Sequence, residues 1–511
     1  MKTLLFTLGA ILPFSLFGQN TGIGTTSPTN KLHVVANVDP LRIEGVQSAA
    51  GTDSLLTISS TGIVRRRNSG SATTGWGLGG NAGTNPQNNF LGTTDNQPLV
   101  FRTNNLRSAL IDPDSTRRNN SFGNRALGIN PAGSGNNSFG YQALGKLTTG
   151  NNNIALGDSS AFNLTSGAGN IAIGADALQS AVTGFSNVAI GTGALKNIVS
   201  SENIGIGNNA AGSSQTGANL LAIGANALSR NLTTNTQIAI GNNSLQQINS
   251  GQDNIALGYN SGLLLATGSS NVLLGHYVLG NTASSSNNTI IGHNAALAYT
   301  SNGITNNTFI GYQSALSQTA GNNNTFVGAG VDLPGTNTSV SNSSALGQGV
   351  QITANNQIRI GNTTVTSIGG QVGWTTFSDA RIKKDIRDDV PGLSFITALR
   401  PVTYNYDLQQ LKKIQGQKSG QTNLEEEQFQ STRYTGLIAQ EVEAAGKKIG
   451  YAFSGVDTPP NENTPYGLRY AELVVPLIQS VKELKALVDR QQQEIEALRN
   501  KLDEKNNRQM P

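Results

Sequence analysis

Ser378 stands five residues ahead of Lys383 in the stretch WTTFSDARIKKDI, residues 374–386. A serine hydroxyl is a weak nucleophile and needs a base to take its proton. The chain has no cysteine and three histidines, His33, His276 and His293, so no imidazole follows residue 293. Disulfides, thiolate catalysis, haem thioether attachment and cysteine-based zinc sites are excluded. The C-terminal part holds no Ser-His-Asp triad of its own, which leaves a lysine as base, Lys383 first and Lys384 second. Lysine ordinarily titrates at about 10.4, and burial favours the neutral amine that could accept a proton. The rival reading makes Ser378 a helix N-cap, with Asp379 and Lys383 paired at i,i+4. By itself a serine five before a lysine carries no weight. On a straight helix such residues point about 140° apart, so the pair needs a bent segment or a neighbouring subunit to bring it together.

The composition around this stretch is lopsided. Glycine is 61 of 511 residues, charged residues are 13% and the net charge is +4. Disordered chains are usually richer in charge or proline, whereas here Ile, Val, Leu and Phe recur at regular intervals. The longest basic run, Arg65–Arg67, has no interleaved aromatics and reads as a solvated strand end or turn. No basic stripe exists for nucleic acid. The opening MKTLLFTLGAILPFSLFGQN has one early lysine, an apolar run from Leu4 to Phe17 and a small residue, Gly18, before Gln19. It reads as a secretory signal peptide over 1–18, too short for a membrane span. Without a cysteine after it, a bacterial lipid anchor is excluded. The expectation is export, to the medium or the cell surface, without membrane insertion.

Residues 19–118 read as short strands broken by Gly, Ser, Thr and Pro, as in GIGTTSPTNKLHVVANV and DSLLTISSTGIVRRR. From 119 the chain repeats: GNIAIGADAL, SNVAIGTGAL, ENIGIGNNAA, TQIAIGNNSL. The glycines from Gly140 to Gly292 fall 17 residues apart, with one step of 16, and the spacing then stretches through Gly311, Gly328, Gly347 and Gly361. A unit this short cannot bury a core alone and must stack on its neighbours. The I-A-I core predicts a strand, the glycine a turn, and the following A-L pair a second short strand. Coils spaced at the strand separation would give a stack of roughly 70 Å. An asparagine four residues before many of the glycines (Asn170, Asn187, Asn203, Asn254, Asn271, Asn288, Asn307, Asn324) predicts a side-chain amide ladder. His276 and His293, 17 residues apart, should lie one above the other as solvated turn residues rather than a metal pair. One coil encloses little, so its apolar faces call for other chains beside it.

After residue 371 the charge becomes ordinary. TGLIAQEVEAAGKK reads as a helix, LKKIQGQKSGQTNLEEEQFQ as an exposed insertion and PPNENTP as a loop. From about Tyr470, Val474, Leu477, Val481, Leu484, Val488, Gln491, Ile495, Leu498 and Leu502 step by three and four, the a and d positions of a coiled coil. Val or Ile at a with Leu at d favours a dimer by the simple rule.

Two resemblances sharpen this outline. The N-x-A-I-G-x-x-A-L repeats over about 119–361 resemble the heads of trimeric autotransporter adhesins, which implies a trimeric left-handed parallel β-roll, although the repeat is longer and no barrel anchor follows. SDARIKKDI, LRPVTYNYD, GLIAQEVE and YAELVVPLIQSVKEL, in that order over about 374–488, resemble the intramolecular chaperone family named for bacteriophage endosialidases. That family sits at the ends of trimeric tail fibres, assists assembly and then cuts itself off. The resemblance makes Ser378 the nucleophile, Lys383 the general base and the bond between Phe377 and Ser378 the cleavage site, with Asp379 matching the motif's aspartate. The insertion around 408–432 departs from the pattern.

The expected protein is mainly β: a signal peptide (1–18), a β-rich region (19–118), a parallel β-roll or solenoid fibre (119–371), a small α+β chaperone domain (372–470) and a C-terminal coiled coil (471–511). It is expected to be a homotrimer that meets a cell-surface or glycan ligand, uses no cofactor or metal, and cleaves itself once with no external substrate. The alternative is an uncleaved structural fibre whose last domain only trimerises it.

Overall fold

A computed structural model describes residues 76–508, apart from 129–131, 336 and 418–423, together with four strands between residues 21 and 67. The expected leader at 1–18 lies outside the described residues. The chain divides into two units, Met1–Gly92 and Thr93–Pro511. In the first, Thr21–Ile23 pairs parallel with Leu32–Val34, and Leu55–Ile58 pairs antiparallel with Val64–Arg67. The triple arginine is therefore part of a strand.

The second unit opens with a hairpin, Leu99–Thr103 and Leu106–Ile111. Its turn residues Asn104 and Asn105 have φ of 49° and 57°, the left-handed pair that a type I′ turn requires. Leu106–Ile111 pairs antiparallel with Asn120–Phe122, so the sheet begins ahead of the first repeat. Every later pairing in the ladder is parallel, through to Ser344–Leu346 and Ile358–Ile360. The result is a parallel β-solenoid of about 14 turns. At its start the Arg107 guanidinium donates to the carbonyls of Ala126, Leu127 and Gly128, closing backbone groups the first coil would leave open.

Each coil is built the same way. The middle residue of the strand points inward and is small: Ala172, Ala189, Ala222, Ala239 and Ala256 are fully buried. Its larger neighbours point outward, and Ile154 and Leu156 are 43% and 47% exposed. The repeat glycine is required twice over. Gly174 has φ +125°, and a Cβ there would sit 2.6 Å from the carbonyl carbon of Gly191 in the next coil. The asparagine ladder forms as expected: Asn170 Nδ2 donates to Asn153 Oδ1 at 3.0 Å and to the Gly184 carbonyl at 2.8 Å. Asn187 Nδ2 in turn donates to Asn170 Oδ1 at 3.2 Å. All of these amides are buried, and each satisfies backbone groups that would otherwise be stranded. The ladder breaks at Leu220 and Gln237, which occupy the same register position.

The A-L pair is not the second strand that the sequence suggests. Asp176 and Leu178 have φ of 58° and 56°, separated by Ala177 with ordinary φ, and the pattern recurs at Asn226 and Leu228 and at Asn243 and Leu245. This alternation turns the chain while keeping its bonds to the next coil, as in Leu178 N–H to the Ala194 carbonyl at 3.1 Å. A left-handed non-glycine residue costs about 1–2 kcal/mol, and burying a leucine returns about 1.5–3 kcal/mol. Leu178 is fully buried, which offsets the cost of its own left-handed φ, and the first left-handed position in these coils is filled by Asp or Asn, which accept positive φ more readily.

His276 and His293 do stack, with ring centroids 6.0 Å apart. Beyond Gly292 the coils become uneven in length and the core enlarges: Tyr299, Phe309 and Phe326 are buried, with 5.1 Å between the Phe309 and Phe326 centroids.

The C-terminal part has a separate core of Phe395, Val442 and Leu473, with Tyr451 and Phe453 packed on it. Its helices are α1 (Leu393–Ile396), α2 (Leu408–Ile414), α3 (Leu424–Ser431), α4 (Ala439–Lys448) and α5 (Val474–Arg508). Val402–Tyr404 pairs antiparallel with Tyr434–Gly436. Thr435 and Gly436, expected at the start of a helix, thus belong to a strand, and α4 begins only at Ala439. The expected exposed insertion is instead a pair of helices. Lys412 of α2 and Glu426 of α3 join at 2.7 Å with side chains only 13% and 10% exposed. Helix α5 has two faces in its first turns. Pro476 and Ser480 are buried, and Pro476 is tolerated because a first-turn N–H has no partner within the helix. The heptad residues Val474, Leu477, Val481, Leu484 and Val488 are all exposed.

Candidate cleavage site

Between the solenoid and the C-terminal core, every residue from 365 to 389 is exposed, with Trp374 at 88% and Phe377 at 91%. Within this segment one short 3-10 turn, Ala380–Ile382, forms the only regular element. Asp379 is its N-cap, the carboxylate accepting from Arg381 N–H at 2.8 Å. The chain leaves the turn extended at Lys383, φ −98° and ψ 132°. The turn ends after three residues, so the long lysine side chain swings back and Lys383 Nζ donates to Ser378 Oγ at 2.8 Å.

The sequence expectation was that a bend imposed by the domain or a neighbour would be needed for this contact. The local turn supplies it alone. The rival N-cap reading also changes: the cap is Asp379, not Ser378, and Asp379 pairs with Arg381 rather than Lys383. The Arg381 guanidinium and then its N–H hold the Asp379 carboxyl below the usual carboxylate range. This pairing leaves Lys383 to the serine. Lys384, the second choice, does not take part. Arg381 was not singled out from the sequence, although the same Asp-x-Arg pairing recurs at Asp385 and Arg387.

The direction of the bond matters. An ammonium that donates to Oγ orients the hydroxyl but cannot take its proton. General-base action needs the neutral amine accepting from Oγ–H. Water reaches all of the arrangement.

The surroundings are firmer. Glu483 of α5 accepts from Leu393 N–H at 2.7 Å and Gly392 N–H at 3.2 Å, capping α1. Those two bonds, with Gln479, keep its carboxyl low. Tyr470 Oη accepts from Leu437 N–H at 2.8 Å. Tyr404, hydrogen-bonded to Tyr406 and partly buried, has its phenol raised well above the ordinary value. Among the described residues no group of three or more potential metal ligands comes together, and no helix is long and apolar enough to cross a membrane.

Residues 378–451 match the family model described as chaperone of endosialidase (peptidase S74), and the match begins at Ser378 itself. No curated protein and no solved structure matches the chain. The C-terminal portion is thus a chaperone-of-endosialidase domain preceded by a β-solenoid, a combination that fits a tail-fibre-like protein.

Proposed function

We propose that this chain is an exported, homotrimeric fibre whose C-terminal domain directs assembly and then severs the bond between Phe377 and Ser378. The observation that carries the reading is the 2.8 Å contact of Lys383 Nζ with Ser378 Oγ at the first residue of the family match. On assembly, packing around the exposed segment removes water and favours the neutral lysine. The amine takes the Oγ proton, and Oγ bonds to the Phe377 carbonyl carbon. The carbon–nitrogen bond breaks with return of a proton to the Ser378 nitrogen. Water then hydrolyses the ester, leaving a carboxylate on Phe377 and a free amine on Ser378. No external substrate is involved and no cofactor is called for.

Two unpaired apolar surfaces support assembly. One is the outward row of Ile, Val and Leu along the strands, including Ile154, Leu156, Ile255, Leu257 and Leu346. The other is the heptad seam of α5. Full burial of each such side chain is worth about 1.5–3 kcal/mol. Three copies serve both surfaces at once, and the shaft so formed would meet a cell-surface or glycan ligand.

The test is a denaturing gel of purified full-length protein beside Ser378→Ala. A fragment of roughly a quarter of the 53.2 kDa chain should appear in the wild type only and begin at Ser378. The rival is a fibre that keeps its last domain. An intact wild-type chain in a particle of trimer mass would establish it and end the cleavage proposal.

A further inference from the structure

The solenoid and the C-terminal domain are joined twice: by the exposed segment and by a contact far from it in sequence. The hydrogen bonds of residues 366–388 all stay within that segment. The second connection is built from the helix pair α2–α3 and the loop at 459–465. Gly416, just after α2, lies directly against the backbone of Gly335 in a late coil: a Cβ on Gly335 would be 3.1 Å from the Gly416 Cα. Asn461 Nδ2 donates to the Thr353 carbonyl at 2.9 Å, and Thr353 is buried. Between these points a polar cleft of about 420 Å³ is lined by Gln348, Thr353 and Asn362 of the last coils and by Lys412, Gln415 and Glu426 of the helix pair.

A solenoid needs a cap at each end, because its last coil offers unpaired backbone to other chains. The first end has the 99–111 hairpin and Arg107. Ile358–Ile360 is the last strand, and among the described residues nothing pairs with its outer edge. From these contacts we infer that α2–α3 and the Asn461 loop are a seat that holds the C-terminal domain on the end of the solenoid without help from the connecting chain. The seat rests on the side of the last coils at Gly335 and Thr353 and leaves the strand Ile358–Ile360 exposed. A cut anywhere between 366 and 388, by the protein itself or by another protease, leaves the two pieces together. This holds whether or not Ser378 is a nucleophile.

The experiment uses the full chain as Ser378→Ala, with a site-specific protease sequence replacing residues 369–373. After complete cutting, gel filtration in native buffer should return both pieces in one peak. Asn461→Asp keeps the two bonds that Asn461 Oδ1 accepts from Asn463 and Thr464 but sets oxygen against the Thr353 carbonyl. Gly335→Asn keeps a residue tolerant of the φ of +63° and places a side chain against Gly416. Each should weaken retention by at least about tenfold, the cost of one unmade buried hydrogen bond or one lost contact. Separation of the two pieces without these substitutions overturns the inference. So does a single peak that survives both.

Discussion

The solenoid and the segment that follows it treat polarity in opposite ways. In the shaft, amides such as Asn170 are fully buried, while isoleucines and leucines face outward. In the segment 365–389 everything is exposed, aromatic and charged residues alike. The shaft satisfies its polar groups along its own axis, coil to coil, and leaves its apolar surface for other chains. The segment satisfies almost nothing beyond the turn at Ala380–Ile382. The difference separates a region whose backbone is complete in one chain from one that waits for surroundings.

The comparison breaks most readily at a repeat glycine. Gly174→Ala places a Cβ 2.6 Å from the Gly191 backbone at φ +125°, and should cost at least ~4 kcal/mol of shaft stability, read as a lowered thermal midpoint by circular dichroism. The C-terminal core around Phe395 should not feel it. Next comes the amide ladder. Asn170→Ala strands its partners on both sides and should cost about 2 kcal/mol. Asn170→Leu copies the natural break at Leu220, where the N–H still donates to Asn203 Oδ1 at 3.1 Å, and should cost less. A smaller effect is expected outside the shaft: Leu484→Lys with Val488→Lys should weaken self-association by about tenfold in sedimentation and leave the solenoid's unfolding unchanged. The smallest concerns pH. Glu483 has its carboxyl lowered by the Leu393 and Gly392 N–H groups. Its contribution is therefore complete above the ordinary glutamate range and is lost as pH falls through the depressed folded value. The protection factor of the Leu393 amide, its exchange slowing relative to the free peptide at the same pH, should fall with acid, and Glu483→Gln should flatten that dependence.

Much of the shaft was legible because its constraints act at a fixed period. The glycine that admits no Cβ and the asparagine that bonds to its own copy must both recur every coil. The A-L turn was misread for a physical reason. A backbone that alternates between right- and left-handed residues has a period of two, as a strand does. The clue was the Asn or Asp two residues before the leucine, at Asp176, Asn226 and Asn243, residue types that accept positive φ. In the C-terminal domain the order of four sequence blocks singled out Ser378 and Lys383, which lie 2.8 Å apart, but gave no sign of the turn that joins them. That turn depends on Asp379 choosing Arg381 over Lys383. The seat at Gly335, Gly416 and Asn461 left no periodic mark, because it rests on single contacts between distant stretches.

The step of 16 residues between Gly191 and Gly207 leaves the pairing of Val188–Ile190 with Ile204–Ile206 intact, and the longer step from Gly292 to Gly311 does the same. Each coil touches only those above and below it. Duplicating or deleting one unit in the gene would therefore alter reach by a single increment of about 4.8 Å and disturb neither terminus, so the shaft works as a ruler whose length can drift by recombination while the hardware at its tip stays the same.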